Sequence, residues 1–367
     1  MELKTCKGVC MKVCTTAVNG RKSETLIKVA EKIVSEYNNL DFSVIYTTVP
    51  VNEKTIKEIK NILNCPFIGC YTEGIIYDGK LVNGAGAMAI SGIKAITEMS
   101  RSPSTIGKRL SIFSKGSIIT FMSLLTENIS STLRVLYNYL SYNFSYFGAC
   151  TGNFYERKSI QFTEKGIENA ICSAGINTKM CVAFDHGWKV MKGPFMISKY
   201  FGNRIYELDD KKAMDVYCSV VECCKNNFDE CRKKYPFGFL CACGKYKLRS
   251  PLEYYRDGSI KFLGEIPRGS VTFIMKCEEE EIVDAAERAA RSAIHSYGEK
   301  ARFAMVVDCI ARKQLLKKKF NDELKRINEA IDVPYIGMLS IGEIFSTSRV
   351  YVPSFHNKTV AVAVGGD

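Results

Sequence analysis

The sequence predicts an α+β protein with two lobes of mixed sheets flanked by helices. Two observations support this fold class. Patterns typical of helices and strands alternate near both ends of the chain, and a β-rich segment lies between them. Both ends also carry a similar glycine-containing turn, which indicates an internal duplication of one helix–strand–helix–strand unit.

The N-terminal copy is predicted from a change in hydrophobic period. Leu26, Ala30 and Ile33 recur at the spacing of an amphipathic helix, whereas the β-branched and aromatic run that follows is typical of a strand. Pro66 ends the second helical segment. The predicted elements are a helix at 23–40, a strand at 42–49, a helix at 52–63 and strands at 67–70 and 84–93.

The C-terminal copy repeats this order. Ile282, Ala285 and Ala289 mark one side of a helix that is followed by a strand-like run. The predicted elements are a helix at 279–296, a strand at 302–309, a helix at 312–331 and strands that begin at 334 and 359.

The evidence for duplication is a shared turn pattern. Residues 66–76 read P-F-I-G-C-Y-T-E-G-I-I and residues 334–344 read P-Y-I-G-M-L-S-I-G-E-I, which are identical or similar at seven of eleven positions. We therefore expect two related lobes that frame a ligand-binding cleft. Glycine permits close approach of the backbone, so each turn could contact either a ligand or another strand.

The segment between the copies is predicted to be mainly antiparallel sheet. Strands at 117–125 and 145–149 surround a helix at 131–142, and short alternating runs at 157–206 and 238–276 are divided by a helix at 211–224. We place an N-terminal domain at 1–207 and a C-terminal domain at 208–367.

Composition indicates a soluble globular protein. Of the 367 residues, 46% are hydrophobic, and no apolar run approaches the roughly 18 residues that cross a bilayer. The N-terminus lacks the apolar stretch of a signal peptide. We therefore expect a cytoplasmic protein with no membrane partner.

The formal net charge of +12 leaves the class of partner open. The densest basic run, residues 312–319, falls in a predicted helix, where a solvated face is the simpler interpretation. Basic and aromatic residues do not gather as they do in nucleic-acid-binding proteins, so a nucleic acid is not the expected partner. A basic surface favours small anions or acidic proteins through long-range attraction.

The sixteen cysteines do not form a recognisable metal site. Their spacing lacks the paired C-x-x-C pattern of structural zinc and the common ferredoxin patterns. We expect reduced, mostly buried thiols, and no bound metal. The cysteines concentrate at Cys6, Cys10 and Cys14 and at Cys218, Cys223, Cys224, Cys231, Cys241 and Cys243.

Few residues suggest chemistry. Cys309 ends a predicted strand and precedes a helix that contains Arg312; this setting either lowers the pKa of the thiol or buries it as a core residue. His186, beside Trp188, and His356 lie in predicted loops, where a histidine is either a ligand or a hydrogen-bonded structural residue. No nucleophile, base and orienting group can be assembled, so the sequence indicates no reaction class and favours a protein that is not an enzyme.

Four segments together resemble the FIST domain. I-G-M-L-S-I-G-E-I at 336–344, followed by F-H-N-K-T at 355–359 and preceded by C-x-x-R at 309–312, is similar to its C-terminal half. Residues 186–217, I-G-C-Y-T-E-G-I at 68–75 and F-G-A-C-T-G-N at 147–153 are similar to parts of its N-terminal half. The resemblance spans nearly the whole chain in the family's order.

The resemblance implies a sensory, ligand-binding module of signal transduction. FIST domains are often fused to kinases, chemotaxis modules or an F-box; amino acids are a proposed ligand class, and some members are reported to bind haem. This chain shows no fused output domain, so the resemblance implies a separate signalling-protein partner. It departs from the family at Ile75, where a glutamate is usual, and at Cys150 and Asn153.

Our leading hypothesis is a sensor that binds a small anionic molecule between the lobes. Arg312 would neutralise a carboxylate or phosphate, and Glu343, His356 and Asn357 would supply directional hydrogen bonds. The candidate ligand-binding residues are Gly69, Cys70, Thr72, Cys309, Arg312, Gly342, Glu343, His356 and Asn357, with His186 and Trp188 in a second tier.

Two alternatives stay open. A haem- or metal-binding redox or gas sensor would use His186, His356 or the cysteine clusters. An enzyme would use Cys309 as a nucleophile. The leading hypothesis requires no cofactor and assigns no catalytic residue.

Overall fold

The structure is a computed structural model that describes residues 11–37, 39–123, 126, 128–153, 159–222, 227–241, 244–267, 269, 271–348 and 350–367. It confirms the α+β class, with mixed sheets flanked by helices. Three segments have the same order of elements, and we call them unit 1 (12–91), unit 2 (95–176) and unit 3 (180–366). Unit 3 contains an additional antiparallel sheet, which we call the insert (189–276).

Unit 1 confirms the elements predicted for the N-terminal copy. Helix formation follows the apolar period, since Leu26, Ala30 and Ile33 are buried on one side of the first helix. Asn52 caps the second helix by accepting a hydrogen bond from the backbone N–H of Thr55. The elements are β1 (Lys12–Asn19), α1 (Glu24–Glu36), β2 (Phe42–Thr47), α2 (Glu53–Leu63), β3 (Phe67–Tyr71), β4 (Ile75–Tyr77), β5 (Lys80–Val82) and β6 (Gly84–Ser91).

Unit 2 repeats this order. Its first strand and first helix have no counterpart among the predicted elements, whereas the following strands and helix match the prediction within a few residues. The elements are β7 (Ala95–Ser100), α3 (Pro103–Leu110), β8 (Gly116–Ser123), α4 (Ile129–Leu140), β9 (Phe144–Thr151), β10 (Gln161–Thr163), β11 (Gly166–Glu168) and β12 (Ile171–Ile176).

Unit 3 begins with β13 (Met180–Asp185) and continues through the insert. The insert contains β14 (Lys189–Phe201), β15 (Arg204–Leu208), β16 (Lys211–Lys212), α5 (Ala213–Val221), α6 (Phe228–Lys234), β17 (Phe237–Leu240), β18 (Tyr246–Arg249), β19 (Pro251–Tyr254), β20 (Ile260–Phe262) and β21 (Val271–Lys276). The rest of unit 3 comprises α7 (Glu279–Tyr297), β22 (Ala301–Cys309), α8 (Ile310–Leu316), α9 (Phe320–Ala330), β23 (Tyr335–Ser340), β24 (Gly342–Phe345), β25 (Ser354–His356) and β26 (Val360–Gly366).

The three main sheets have the same strand order. Sheet 1 runs β1-β6-β2-β3-β10-β11, sheet 2 runs β7-β12-β8-β9-β24-β25, and sheet 3 runs β13-β26-β22-β23-β4-β5. In each sheet only the two central strands are parallel. The last two strands of each sheet form a hairpin that belongs to a different unit. Unit 2 contributes the hairpin of sheet 1, unit 3 that of sheet 2 and unit 1 that of sheet 3. This exchange is cyclic and joins all three units.

The expected duplication of two lobes is not confirmed. The topology shows three equivalent units, and the turn pattern has a third copy at 146–151 (Y-F-G-A-C-T) in unit 2. Its glycine occupies the same place in each unit, because a Cβ atom there would lie at most 2.8 Å from the carbonyl oxygen of the neighbouring parallel strand. The glycines are Gly69, Gly148 and Gly337, and the carbonyls belong to Ile45, Thr120 and Val306.

The inner faces of the three sheets share one central core. Tyr46, Phe121 and Val307 occupy equivalent positions in units 1, 2 and 3 and all belong to this core. The outer faces are covered by α1 and α2 on sheet 1, α3 and α4 on sheet 2, and α7 with α9 on sheet 3. The insert has its own core beneath α5 and α6. The glycine turns therefore lie where buried strands of different units meet.

Sheet 3 contains strands from both sides of the predicted domain boundary, since β4, β5 and β13 precede residue 207 and the other three strands follow it. The boundary itself stays a prediction. In the described part of the chain, no helix combines the length and apolar character needed to cross a membrane.

Candidate functional site

Arg312 is the centre of a buried charge cluster in unit 3. Its guanidinium contacts Glu323 through Nε and Nη2 at 3.0 and 2.9 Å and lies 3.2 Å from Asp308. Its other N–H groups donate to backbone carbonyls of His186, Ile282 and Lys358. Burial alone would lower the pKa of this group, but the two carboxylates raise it. All five N–H donors are used within the protein, so Arg312 has none left for a ligand.

Glu343 lies beside this cluster and is fully buried in β24. Its carboxyl accepts hydrogen bonds from Ser340 Oγ at 2.5 Å and from the Thr359 backbone N–H at 3.2 Å. Burial raises its pKa from 4.5 to about 8, against the opposing effect of these hydrogen bonds. The preceding Gly342 is required by packing, because the Phe355 ring occupies the place of a Cβ atom. Both residues stabilise the junction of β24 with its neighbours.

Cys309 does not have the environment of an activated nucleophile. It is 3% exposed at the N-terminus of α8, and burial raises the pKa of its thiol well above the usual value. A nucleophilic cysteine instead needs an accessible thiolate with a lowered pKa. The location at a strand end matches the core interpretation of this residue.

Two of the candidate residues of unit 1 pack against unit 3. Cys70 Sγ lies 3.6 Å from Met338 Sδ within the central core. Thr72 Oγ1 donates to the Leu339 carbonyl at 2.6 Å. Gly69 instead allows the close approach to Ile45 of its own unit and to the ring of Phe162 in unit 2. All three residues therefore have structural contacts within the core.

His186 and Trp188 support one another structurally. His186 Nδ1 accepts from the Trp188 backbone N–H at 2.9 Å, and the indole Nε1 donates to the Lys234 carbonyl. Burial lowers the pKa of His186 to about 4, so the ring is neutral near pH 7. Both side chains are buried. The haem alternative stays a prediction.

His356 and Asn357 connect the charge cluster to the insert. Asn357 Oδ1 accepts from the Ser250 backbone N–H at 3.3 Å. The His356 ring stacks on Phe345 with centroids 4.2 Å apart, and its Nε2 lies 2.8 Å from Ser354 Oγ. Burial lowers the pKa of His356 well below the usual value, and Lys247 and Arg249 lower it further. The imidazole is therefore neutral, and its neighbours lead to a cleft.

This cleft lies between unit 2, the insert and the segment before β25. It has a volume of about 1270 Å³, which is large enough for a small-molecule ligand. It is lined by Asn128, Ser130, Ser131 and Arg134 from the start of α4, by Tyr200, Phe201, Gly202, Lys247, Arg249, Glu265, Ile266 and Pro267 from the insert, and by Val352, Pro353 and Ser354.

Arg249 is the most unusual residue in the cleft. It is 2% exposed, and among the described residues it forms no ion pair, although Glu265 attracts it from a longer distance. Nε donates to the Glu265 carbonyl, and Nη1 donates to the carbonyls of Leu248 and Phe355. Burial lowers its pKa to about 10, which leaves it charged near pH 7. A buried cation is stabilised by an opposite charge. Here the direct contacts are carbonyl dipoles and the Phe355 ring, 5.7 Å away, while the Glu265 carboxylate attracts the guanidinium only from beyond ion-pair distance.

Other groups make the same cleft attractive to anions. Lys247 lies on the same strand as Arg249, and Arg134 lies on α4 across the cleft. The first turn of α4 adds the partial positive charge of a helix N-terminus. Glu265 is the one acidic side chain among the lining residues given above. The balance favours a negatively charged ligand.

None of the eleven candidate residues lines this cleft, although His356 contacts Ser354, which does. The lining comes from five short segments that are far apart in sequence. The sequence of each segment is typical of an ordinary loop, strand or helix and does not indicate a binding site. One signal was present at Arg249, which follows buried Leu248 on a predicted strand, so that two neighbouring side chains are buried where alternation would expose one.

The cysteines show no metal-binding arrangement in the described part of the chain. Cys14, Cys65, Cys70, Cys150 and Cys172 are buried free thiols. Cys231 is disulfide-bonded, so the expectation of reduced thiols fails at this position. Five cysteines of the two clusters, Cys6, Cys10, Cys223, Cys224 and Cys243, lie outside the described residues.

Comparison with protein families gives two adjacent matches. Residues 42–211 match the family model of the FIST N domain, and residues 213–346 match that of the FIST C domain. No curated protein matches the chain. The cleft is lined by residues from both matched regions and from the segment just beyond the second.

Proposed function

Because this chain belongs to the FIST family, a family of sensory domains in signal transduction, we propose that it is a sensor that binds a small anionic ligand in the cleft around Arg249. The ligand carries a carboxylate or phosphate, a class that includes amino acids. A separate signalling protein receives the signal. The site differs from the one expected at Arg312.

The observation that carries this proposal is the buried charge of Arg249, which forms no ion pair with the described residues. Its Nη2 makes no hydrogen bond with the described residues, and the side chain borders the cleft. A ligand carboxylate or phosphate would supply the missing counter-charge and accept from this group. Lys247 and Arg134 would strengthen the attraction, since both line the same cleft.

Ser354 is suited to donate a hydrogen bond to the same anion. His356 Nδ1 is buried without a partner, and a buried N–H without an acceptor is costly. The tautomer that carries its proton on Nε2 avoids this cost and donates to Ser354 Oγ at 2.8 Å. The hydroxyl proton of Ser354, which lines the cleft, is then available to an acceptor there.

The proposal is tested by thermal stabilisation at constant ionic strength, with inorganic phosphate and acetate as the first probes. Ligands that bind only the native state raise its apparent stability. We expect that Lys247→Met will need about tenfold more ligand to reach the same stabilisation, because one charged hydrogen bond to the ligand is lost.

Lys57→Met is the matched control. Lys57 lies on an exposed face of α2, so this substitution removes the same charge from a different surface. Equal effects of the two substitutions would show that the anions respond only to net charge. That result would contradict a site in the cleft, as would an absence of stabilisation by any carboxylate or phosphate.

A further inference from the structure

The cleft has exposed apolar walls as well as basic groups. Phe201, at the tip of the β14–β15 hairpin, is 81% exposed and borders the cleft. Val352, in the segment between β24 and β25, is 43% exposed and also lines the cleft. Tyr200, Ile266 and Pro267 continue the apolar lining on the insert.

Burial separates the two kinds of lining. Arg249 is almost fully buried and therefore lies at the floor of the cleft, whereas Phe201 and Val352 lie at its rim. Exposed apolar groups that face a cleft and are bordered by polar residues commonly mark a ligand site. A ligand that fills the cleft from floor to rim would meet cations first and apolar side chains second.

We infer that the ligand is an amphiphilic anion, with a carboxylate or phosphate at Arg249 and an apolar body between Phe201 and Val352. This inference rests on the proposed function and specifies its ligand class. The volume of about 1270 Å³ leaves room for a drug-sized body beyond the anionic group. The apolar body would increase the affinity, because its contact with the apolar side chains at the rim removes the surface of both from water.

The test is isothermal titration calorimetry at constant ionic strength with acetate, butyrate, hexanoate and octanoate. Affinity is expected to rise by about fourfold for each methylene group that leaves water. Phenyl phosphate compared with inorganic phosphate repeats the test with the other head group and so distinguishes the two anion classes. Octanol keeps the apolar body without the charge and is expected to bind more weakly than octanoate.

Phe201→Ala examines the rim directly. The side chain is largely exposed, so the variant should fold. We expect it to weaken octanoate binding by roughly tenfold and to leave acetate binding unchanged. Tyr142→Ala is the control, because Tyr142 is 60% exposed and does not line the cleft.

The outcomes separate the inference from the proposed function. Equal affinity for acetate and octanoate, or octanol binding as tightly as octanoate, would overturn the amphiphilic ligand class. Equal affinity for acetate and octanoate would still support the anion site at Arg249. Absence of binding by every carboxylate and phosphate in the series would overturn both.

Discussion

At the scale of single residues, the most informative group is Arg312, because its position decides between a structural and a ligand-binding role. A guanidinium whose five donors are all used inside the protein stabilises the fold through the groups it joins. Asp308 and Glu323 are both fully buried beside it. Removal of the cation would leave two carboxyl groups in an apolar environment without their partner.

We therefore predict that Arg312→Met destabilises the protein before any ligand is added. Loss of one partner from a buried ion pair costs about 3–5 kcal/mol, and urea unfolding followed by far-UV circular dichroism measures it. Arg326→Met is the matched control, since Arg326 pairs with Asp284 and Glu280 at the surface and its loss should change little. Similar stability of the two variants would argue that the Arg312 cluster is not structural.

Glu343 predicts a dependence of stability on pH. Its folded pKa of about 8 lies above its ordinary value of 4.5, so the folded state binds the proton more tightly. Its stabilising contribution is therefore complete below about pH 4.5 and is lost as the pH rises through 8. Between pH 6.5 and 8 the loss is on the order of 2 kcal/mol.

Glu343→Gln removes this titration and should flatten the stability profile between pH 6.5 and 8.5. The measurement is the urea midpoint of both proteins across that range. His186 and His356, whose folded pKa values are lowered, act at lower pH: their contribution is lost as the pH falls below about 6.5. Glu168→Gln, at an exposed position, controls for the lost charge. Parallel profiles for wild type and Glu343→Gln would show that Glu343 titrates normally.

At the scale of elements, the sequence predicts best where local signals and burial agree. Helix α2 has both an apolar period and an Asn52 cap, and its bounds match the prediction within one residue. The apolar period of residues 312–331 predicts a single helix. The structure divides them into α8 and α9 at Lys317, whose φ is 53°, so that Leu316 and Phe320 are both buried.

Other elements carried weaker local signals. Strand β7 contains Glu98, and only one of its six side chains is buried, so neither alternation nor an apolar run marks it. Without β7 and α3, the order of the predicted elements in unit 2 does not match that in unit 1, although both units contain the turn motif, at 146–151 in unit 2.

The cleft could not be predicted because it depends on the packing of unit 2 against the insert. Arg134, Phe201 and Arg249 each sit in an element whose own sequence explains it. Only the fold brings them to one place. By contrast, strand pairing alone joins β24 to β25 and places Glu343 opposite His356.

At the scale of the whole molecule, the cyclic hairpin exchange determines how the protein unfolds. Each main sheet requires strands from two units, and the inner faces form one core. Two independent lobes would give two unfolding free energies. Three interlocked units should instead share a single opening reaction, because no unit can leave without removing a hairpin from another sheet.

Hydrogen exchange measures this directly. We predict equal global opening free energies for the central strands β2, β8 and β22 of the three units. Ile76 lies in unit 1 but packs in the core of sheet 3, and Ile76→Ala should cost about 2–5 kcal/mol as a buried truncation. The loss should appear equally in β2, β8 and β22, while Ile112→Ala, at a 67% exposed side chain, should leave all three unchanged. If Ile76→Ala lowered protection in β22 alone, unit 3 would open independently of unit 1, and the hairpin exchange would not couple the sheets.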